Sequence, residues 1–331
     1  LGDVYKRQGK TCVCGAEALE IDPEAGTLKV DGKVFHEGDV IAIDGATGEV
    51  FEGDVPVQDS PVTTYLEAGL EAGLEACGDD ADLKDLVRCV DRMMELADAR
   101  ARLQVRANAD NPQDAKLAVE FGATGIGLCR TEHMFLGDRR PLVEHAILSG
   151  EGSKDRLNAL ERLGELQEKD FSEMLRVMDG KPMTVRLIDP PLHEFLPDLT
   201  SLEVKVAVQK AQGTVNPEDQ RMLAAVRRMH EANPMLGLRG VRLGIWMPGL
   251  FEMQIRSLVS AAAALKKKGL DPRPEIMVPL VGSITELGLI RSRAEKVIGE
   301  VCGAARVNLE IPIGCMIELP RAATVSYTHL R

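Results

Sequence analysis

Three stretches of the chain share one pattern, a short apolar run that ends abruptly in charge. Ile126 to Cys129 runs into Arg130, Thr131, Glu132 and His133. Val185 to Phe195 reads Val-Arg-Leu-Ile-Asp-Pro-Pro-Leu-His-Glu-Phe, and Ile313 to Ala323 reads Ile-Gly-Cys-Met-Ile-Glu-Leu-Pro-Arg-Ala-Ala. A buried parallel strand that delivers polar groups at its C-terminal end is how an α/β barrel builds its reactive rim. Arg130 stands where the first of these strands stops, free to grip a phosphate or carboxylate in two-pronged fashion or to pair with Glu132 on a solvated loop. Gly125 and Gly127 are not a dinucleotide fingerprint, because no third glycine opens a helix behind them.

Strand and helix patterns alternate around these stretches. Leu103 to Ala107 reads as the first strand. Asn111 then caps a helix whose first position is Pro112 and whose first turn carries Asp114. Ile126 to Cys129 is the second strand, followed by a long helix over 154–178 that Gly180 closes. Thr184 to Ile188 is the third strand, and Asn216-Pro217 opens a helix running to about Glu231. Val241 to Ile245 reads as a fourth strand, Glu275 to Leu280 as a fifth and Ile313 to Leu319 as a sixth. Ser283 with Glu286 makes a capping box on the intervening helix. Repeated βα units with apolar strands predict a parallel sheet. Ahead of them, residues 9–57 are β-rich, with Leu28 to Val30 and Lys33 to Phe35 joined through Asp31-Gly32, a hairpin turn signal. Residues 60–102 read as a linker and helix, with one apolar stripe of Leu83, Val87, Val90, Met94 and Ala97; Met93 and Met94 read as core filler.

Composition narrows the class. The 331 residues are 44% hydrophobic and 28% charged, which suits two globular domains. A net charge of −12 speaks against nucleic acid, although local arginines still serve a phosphate substrate. No apolar run approaches the roughly 20 residues of a membrane span, and Leu1 to Gln8 lacks the apolar centre of a leader. The seven cysteines form no zinc spacing and read as free thiols, so the expected location is cytoplasmic.

The segments Leu128-Cys-Arg-Thr-Glu-His-Met-Phe135, Arg186-Leu-Ile-Asp-Pro-Pro-Leu-His-Glu-Phe195, Pro234-Met-Leu-Gly-Leu-Arg-Gly240 and Met316-Ile-Glu-Leu-Pro-Arg-Ala322 resemble the pyruvate, phosphate dikinase family. The resemblance runs from about Gly9 to Ala323. It implies an α/β fold, a TIM-type (β/α)8 barrel that binds phosphoenolpyruvate or pyruvate over 103–324 and stops after its sixth strand. Before the barrel it implies a helical linker over 59–102 and the last part of a swivelling phosphohistidine domain over 9–58. Residues 1–8 and 325–331 match nothing in the family and read as non-native ends. The implied reaction converts ATP, phosphate and pyruvate into AMP, diphosphate and phosphoenolpyruvate, and back, through a phosphohistidine. Arg130 and Arg186 are implied to contact the phosphoryl group and substrate, with Arg239 a third candidate. Glu318 is implied to bind substrate through Mg²⁺, as its ligand; a salt bridge to Arg321 is its ordinary alternative. His133 and His193 are no more than orienting donors on this reading, and Glu132 and Asp189 hold the arginines. None of the six histidines has the family's Thr-Ser-His context, so no catalytic residue is assigned and the chain by itself is expected to be inactive. ATP and AMP would bind in a nucleotide domain outside this sequence, and the parent is implied to be a homodimer. Three rivals remain, namely phosphoenolpyruvate synthase, an enzyme I-type phosphotransferase and a non-catalytic phosphoenolpyruvate-binding module.

Overall fold

The computed structural model describes residues 11–329 apart from 14, 17, 18, 24, 31, 46, 57–59, 136, 150, 151, 230–232 and 234. Residues 1–8 therefore lie outside the described residues, as do the turn position 31, His230 and the predicted helix end at Glu231.

The N-terminal part is built of two small antiparallel sheets. β1 (Glu20–Asp22), β2 (Thr27–Val30) and β3 (Lys33–His36) form the first, with Val30 opposite Lys33 across a two-residue turn. Gly32 in that turn has φ +78°, the left-handed backbone a tight hairpin requires. β4 (Ile41–Ile43) pairs with β5 (Val50–Glu52) in the second sheet. Three helices follow, α1 (Pro61–Ala68), α2 (Leu70–Ala76) and α3 (Ala81–Arg100). The side chain of Asp80 caps α3 by accepting from the backbone of Asp82 and Leu83. The apolar stripe on α3 does not become core. It packs against α1 and α2, yet Val87 is its one fully buried residue, and Met93 remains 70% and Met94 38% exposed.

Beyond this point five parallel strands make one sheet in sequence order. They are β6 (Arg106–Asn108), β7 (Gly125–Arg130), β8 (Pro182–Arg186), β9 (Arg273–Val278) and β10 (Ile313–Cys315), with β6 and β10 at its ends. The first strand is later and shorter than its predicted span, because Leu103 and Val105 lie in solvent, 85% and 70% exposed. Helix α4 (Pro112–Glu120) links β6 to β7, capped as expected by Asn111, whose Oδ1 accepts from Asp114 N at 2.8 Å. Helices α5 (Arg140–Leu148) and α6 (Lys154–Val177) fill the next crossover. The long connection from β8 to β9 holds α7 (Leu199–Ala211), α8 (Pro217–Met229), α9 (Gly240–Trp246) and α10 (Leu250–Lys267). Helix α11 (Ile284–Ala305), with the Ser283–Glu286 capping box in place, leads to β10, and α12 (Pro320–His329) follows it.

The predicted fourth strand is therefore a helix. Val241 to Ile245 lie in α9, and no strand can stand between β8 and β9, since Thr184 pairs directly with Glu275 and Val185 with Ile276. Five residues with apolar side chains at 241, 243 and 245 satisfy strand alternation, yet the buried set Gly240, Val241, Leu243 and Gly244 satisfies one helix face as well. End contacts decide between them. Gly240 N donates to Asp189 O at 2.9 Å and Val241 N to Pro279 O at 3.0 Å, so the first turn of α9 docks on the C-terminal ends of β8 and β9.

Alternation along the strands gives the sheet two unlike faces. Ile126, Met183, Val185, Ile276 and Val278 are essentially fully buried in the apolar core with the helices. Helix α10 is the centre of that packing and lies against both α6 and α11. Its Ser257 donates to Gly164 O of α6 at 2.9 Å. The other face carries polar groups. Arg106 binds Glu275 through two N–H groups, at 2.6 and 3.2 Å, and Thr184 Oγ1 donates to the same carboxylate at 2.6 Å.

Burial opposes ionisation of Glu275, but the hydrogen bonds from Arg106 and Thr184, with the charge of Arg106, outweigh it and hold its pKa below the usual glutamate range. A carboxylate with a depressed pKa in the folded state stabilises the fold above its unfolded pKa of about 4.3 and loses that contribution as pH falls through the folded value. Glu275→Gln should then cost about 1–2 kcal/mol at neutral pH, with the gap to wild type closing below about pH 4, read from chemical denaturation across pH. At the end of β7, burial pushes the Cys129 thiol up to about 12, reinforced by the charges of Asp110 and Glu132. A thiol so far from ionising does not react as a thiolate near neutrality. Mass mapping after brief alkylation of the native chain at pH 7.5 should find Cys89, exposed on α3, modified and Cys129 untouched.

Candidate functional site

Every strand of the main sheet points the same way, so the chain leaves β6, β7, β8, β9 and β10 along one rim. Arg130 and Arg186 are register partners at the ends of β7 and β8; Arg186 in turn pairs with Met277, and Met277 with Gly314. Glu318 lies three residues past the end of β10 and is exposed.

Each of these groups has a defined partner. Arg130 is held by Asp110, which accepts from its backbone N–H at 2.7 Å and from its guanidinium at 3.2 Å. His133, half exposed, reaches the same carboxylate with Nε2 at 3.4 Å. The Arg130–Glu132 pair open to the sequence does not form. Glu132 instead binds Arg186. Arg186 is also paired to Asp189 at 3.2 Å, and Asp189 passes the connection on to Arg239 at 2.6 Å. Glu132, Arg186, Asp189 and Arg239 thus form one chain of alternating charge. It is buried for the most part: Arg186 is 11% and Asp189 only 4% exposed in their side chains. Within it, Glu132 Oε2 and Arg186 Nε have no protein hydrogen-bond partner. A buried N–H and a buried carboxylate oxygen left over in this way are donor and acceptor capacity available to a bound molecule or water.

Arg239 precedes α9, and Gly240 makes its position attainable. The glycine has φ +53°, and a Cβ there would fall 2.8 Å from Leu280 Cβ and 3.0 Å from Pro279 O. Burial by itself would lower the pKa of Arg239. The hydrogen bonds and charge of Asp189, with the charges of Glu194 and Glu318, raise it instead, so the guanidinium sits in the field of three carboxylates. Glu318 is anchored at one oxygen, Oε1 accepting from Leu280 N at 2.7 Å, where Leu280 itself has the unusual φ of 59°. Its Oε2 has no partner among the described residues.

As to metal, no group of three His, Cys, Asp or Glu side chains is arranged to hold an ion among the described residues. The donor available is the single hard carboxylate of Glu318, which suits a cation that takes one protein oxygen and completes its shell with substrate and water. Of the remaining residues singled out in the sequence, the side chain of His193 lies outside what is described. Asp110 and Gln254 are additions that sequence reasoning missed. Asp110 stands in the short turn between the first strand and the Asn111 cap, where an aspartate draws no notice; Gln254, 1% exposed, betrays itself only as an amide on an apolar helix.

Among the described residues no helix is long and apolar enough to cross a membrane. The chain is 41% identical over 321 residues to a pyruvate, phosphate dikinase of Rhizobium meliloti (strain 1021), an alignment covering 97% of this chain and 32% of that protein. It is 38% identical over 322 residues to one from Clostridium symbiosum, covering 97% and 33%, and 36% identical over 323 residues to one from Giardia intestinalis, covering 98% and 33%. The chain thus spans about a third of the length of these curated relatives. The family described as PEP-utilising enzyme, PEP-binding domain, matches residues 84–330. With three quarters of its length inside that match, the chain belongs to the PEP-utilising enzymes.

Proposed function

We propose that this rim is the phosphoenolpyruvate/pyruvate site of a pyruvate, phosphate dikinase. On this reading residues 103–324 are part of a (β/α)8 barrel, 59–102 are its helical linker and 9–58 are the end of a phosphohistidine domain. The parent enzyme interconverts ATP, phosphate and pyruvate with AMP, diphosphate and phosphoenolpyruvate. Nucleotide and the phosphorylated histidine belong to parts of the enzyme outside this sequence. The observation that carries the reading is Arg186: a buried guanidinium at a strand end, in register with Arg130, whose Nε is left without a protein partner.

The chemistry follows from charge. Transfer of a phosphoryl group to the oxygen of enolpyruvate spreads negative charge over the phosphoryl oxygens, and preorganised cations stabilise it. Arg130 and Arg186 would hold the phosphoryl group and the substrate, and Arg239 would add charge from the third side. Glu132 and Asp189 fix the Arg186 fork so that little reorganisation is needed when the ligand arrives. Bound Mg²⁺ would neutralise charge on the enolate and phosphoryl oxygens. Glu318 would hold it, with its Oε1 oriented by the Leu280 N–H.

Calorimetric titration of the 331-residue chain with phosphoenolpyruvate, with and without Mg²⁺, tests the assignment. Arg186→Lys keeps the charge and loses the fork, so affinity should fall about tenfold or more, equivalent to about 1.4 kcal/mol. Glu318→Gln should abolish the Mg²⁺ dependence and leave the melting curve unchanged. Wild-type affinity in Arg186→Lys would sink the assignment. A second expectation concerns turnover: the purified chain, given phosphoenolpyruvate, AMP and diphosphate, should yield no ATP above background. Production that survives rigorous removal of host enzymes contradicts the need for an external phosphohistidine.

A further inference from the structure

Gln254 is, with Ser257, one of two buried polar residues on α10. It is 1% exposed, flanked on the helix by Phe251, Ile255 and Leu258, all essentially fully buried. Both ends of its amide are used. Oε1 accepts from Ile188 N at 2.9 Å, and Nε2 reaches Thr131 Oγ1 at 2.9 Å. The orientation is set by Ile188, because a backbone N–H can only donate. Thr131, fully buried, lies between Arg130 and Glu132, while Ile188 lies between Arg186 and Asp189. One side chain from the helical layer therefore ties the two strand ends that carry four of the rim's charged groups.

We infer that Gln254 is a positioning residue for the rim, holding the β7 and β8 ends at the separation that lets Glu132 and Asp189 share Arg186. The inference rests on the reading of the rim as a ligand site. An amide held between two fully buried partners has one geometry, so it transmits the placement of α10 to both strand ends without slack. An apolar residue of the same size fills the volume but leaves the Ile188 N–H unpaired in the core, and that group moves to find another acceptor. Any such shift is felt at the guanidinium two residues away, where displacement of about 1 Å is enough to weaken a positioned contact strongly.

The test compares Gln254→Leu with Val259→Ala, a cavity on the same helix at a fully buried apolar position. Two quantities are read at a temperature where all variants are folded: affinity for phosphoenolpyruvate with Mg²⁺, and the ¹⁵N resonance of Arg186 Nε, assigned by its loss in Arg186→Lys. Gln254→Leu should weaken binding about tenfold and move the Arg186 resonance, whereas Val259→Ala should melt earlier and change neither. Thr131→Val cuts one end of the tether and should move the resonance in the same direction, and it decides the matter if Gln254→Leu does not fold. Equal effects of Gln254→Leu and Val259→Ala, or an unmoved resonance in Gln254→Leu, overturn the inference. A wild-type chain that binds neither phosphoenolpyruvate nor pyruvate overturns the ligand-site reading instead, and the Arg186 resonance then still decides whether Gln254 positions that residue.

Discussion

A guanidinium taken out of water must be paid for in partners, and Arg186 is the group that sets this demand. Leaving it unpaired at the end of β8 would cost several kcal/mol, so Glu132 and Asp189 are obligatory neighbours. Asp189, itself almost fully buried, then needs more positive charge than one shared arginine supplies, and Arg239 meets that need. Arg239 reaches Asp189 only because Gly240 lets the backbone press against Pro279 and Leu280. The start of α9, the ends of β8 and β9 and the turn after β7 are thereby fixed by one chain of charge.

The same chain explains how a rim can be rigid and still receptive. Every charge in it has an opposite beside it, so the fold tolerates the arginines before any ligand arrives. The residual capacity, Arg186 Nε and Glu132 Oε2, lies where a neutral protein surface would have none. Arg130 is held apart from this chain by Asp110, and that carboxylate also meets His133. The rim thus has two separately anchored arginines in register on neighbouring strands rather than one cluster of mutually repelling cations.

How much of this the sequence discloses depends on whether the cause is local. The second and third strands are legible because their apolar runs are bounded by glycine or proline on one side and charge on the other. Asn111 and the Ser283–Glu286 box are legible because a cap acts within one turn. Val241 to Ile245 is not, since the choice of helix over strand is made by Asp189 and Pro279, residues distant in sequence that receive its first N–H groups. The α3 stripe misleads for the converse reason: periodicity identifies an apolar face but not whether anything covers it. At the rim, Arg130, Arg186 and Glu318 stand out because charge at the end of an apolar run is conspicuous. Asp110 and Gln254 do not, because their importance lies wholly in what folding brings to them. The assignment of Glu132 and Asp189 as holders of arginine was within reach of the sequence, but which arginine each holds was not.

The polar face of the sheet has a kinetic corollary. Arg106, Thr184 and Glu275 come from three strands, and the bonds among them span 78, 91 and 169 positions. Contacts that close such long loops carry a large entropic penalty and form only once much of the chain is already ordered. In a sheet whose strands are laid down in sequence order, this triad cannot mature until β9 has joined β8. It therefore acts as a latch on the finished sheet, one that slows the departure of strands from the native state far more than it hastens their arrival.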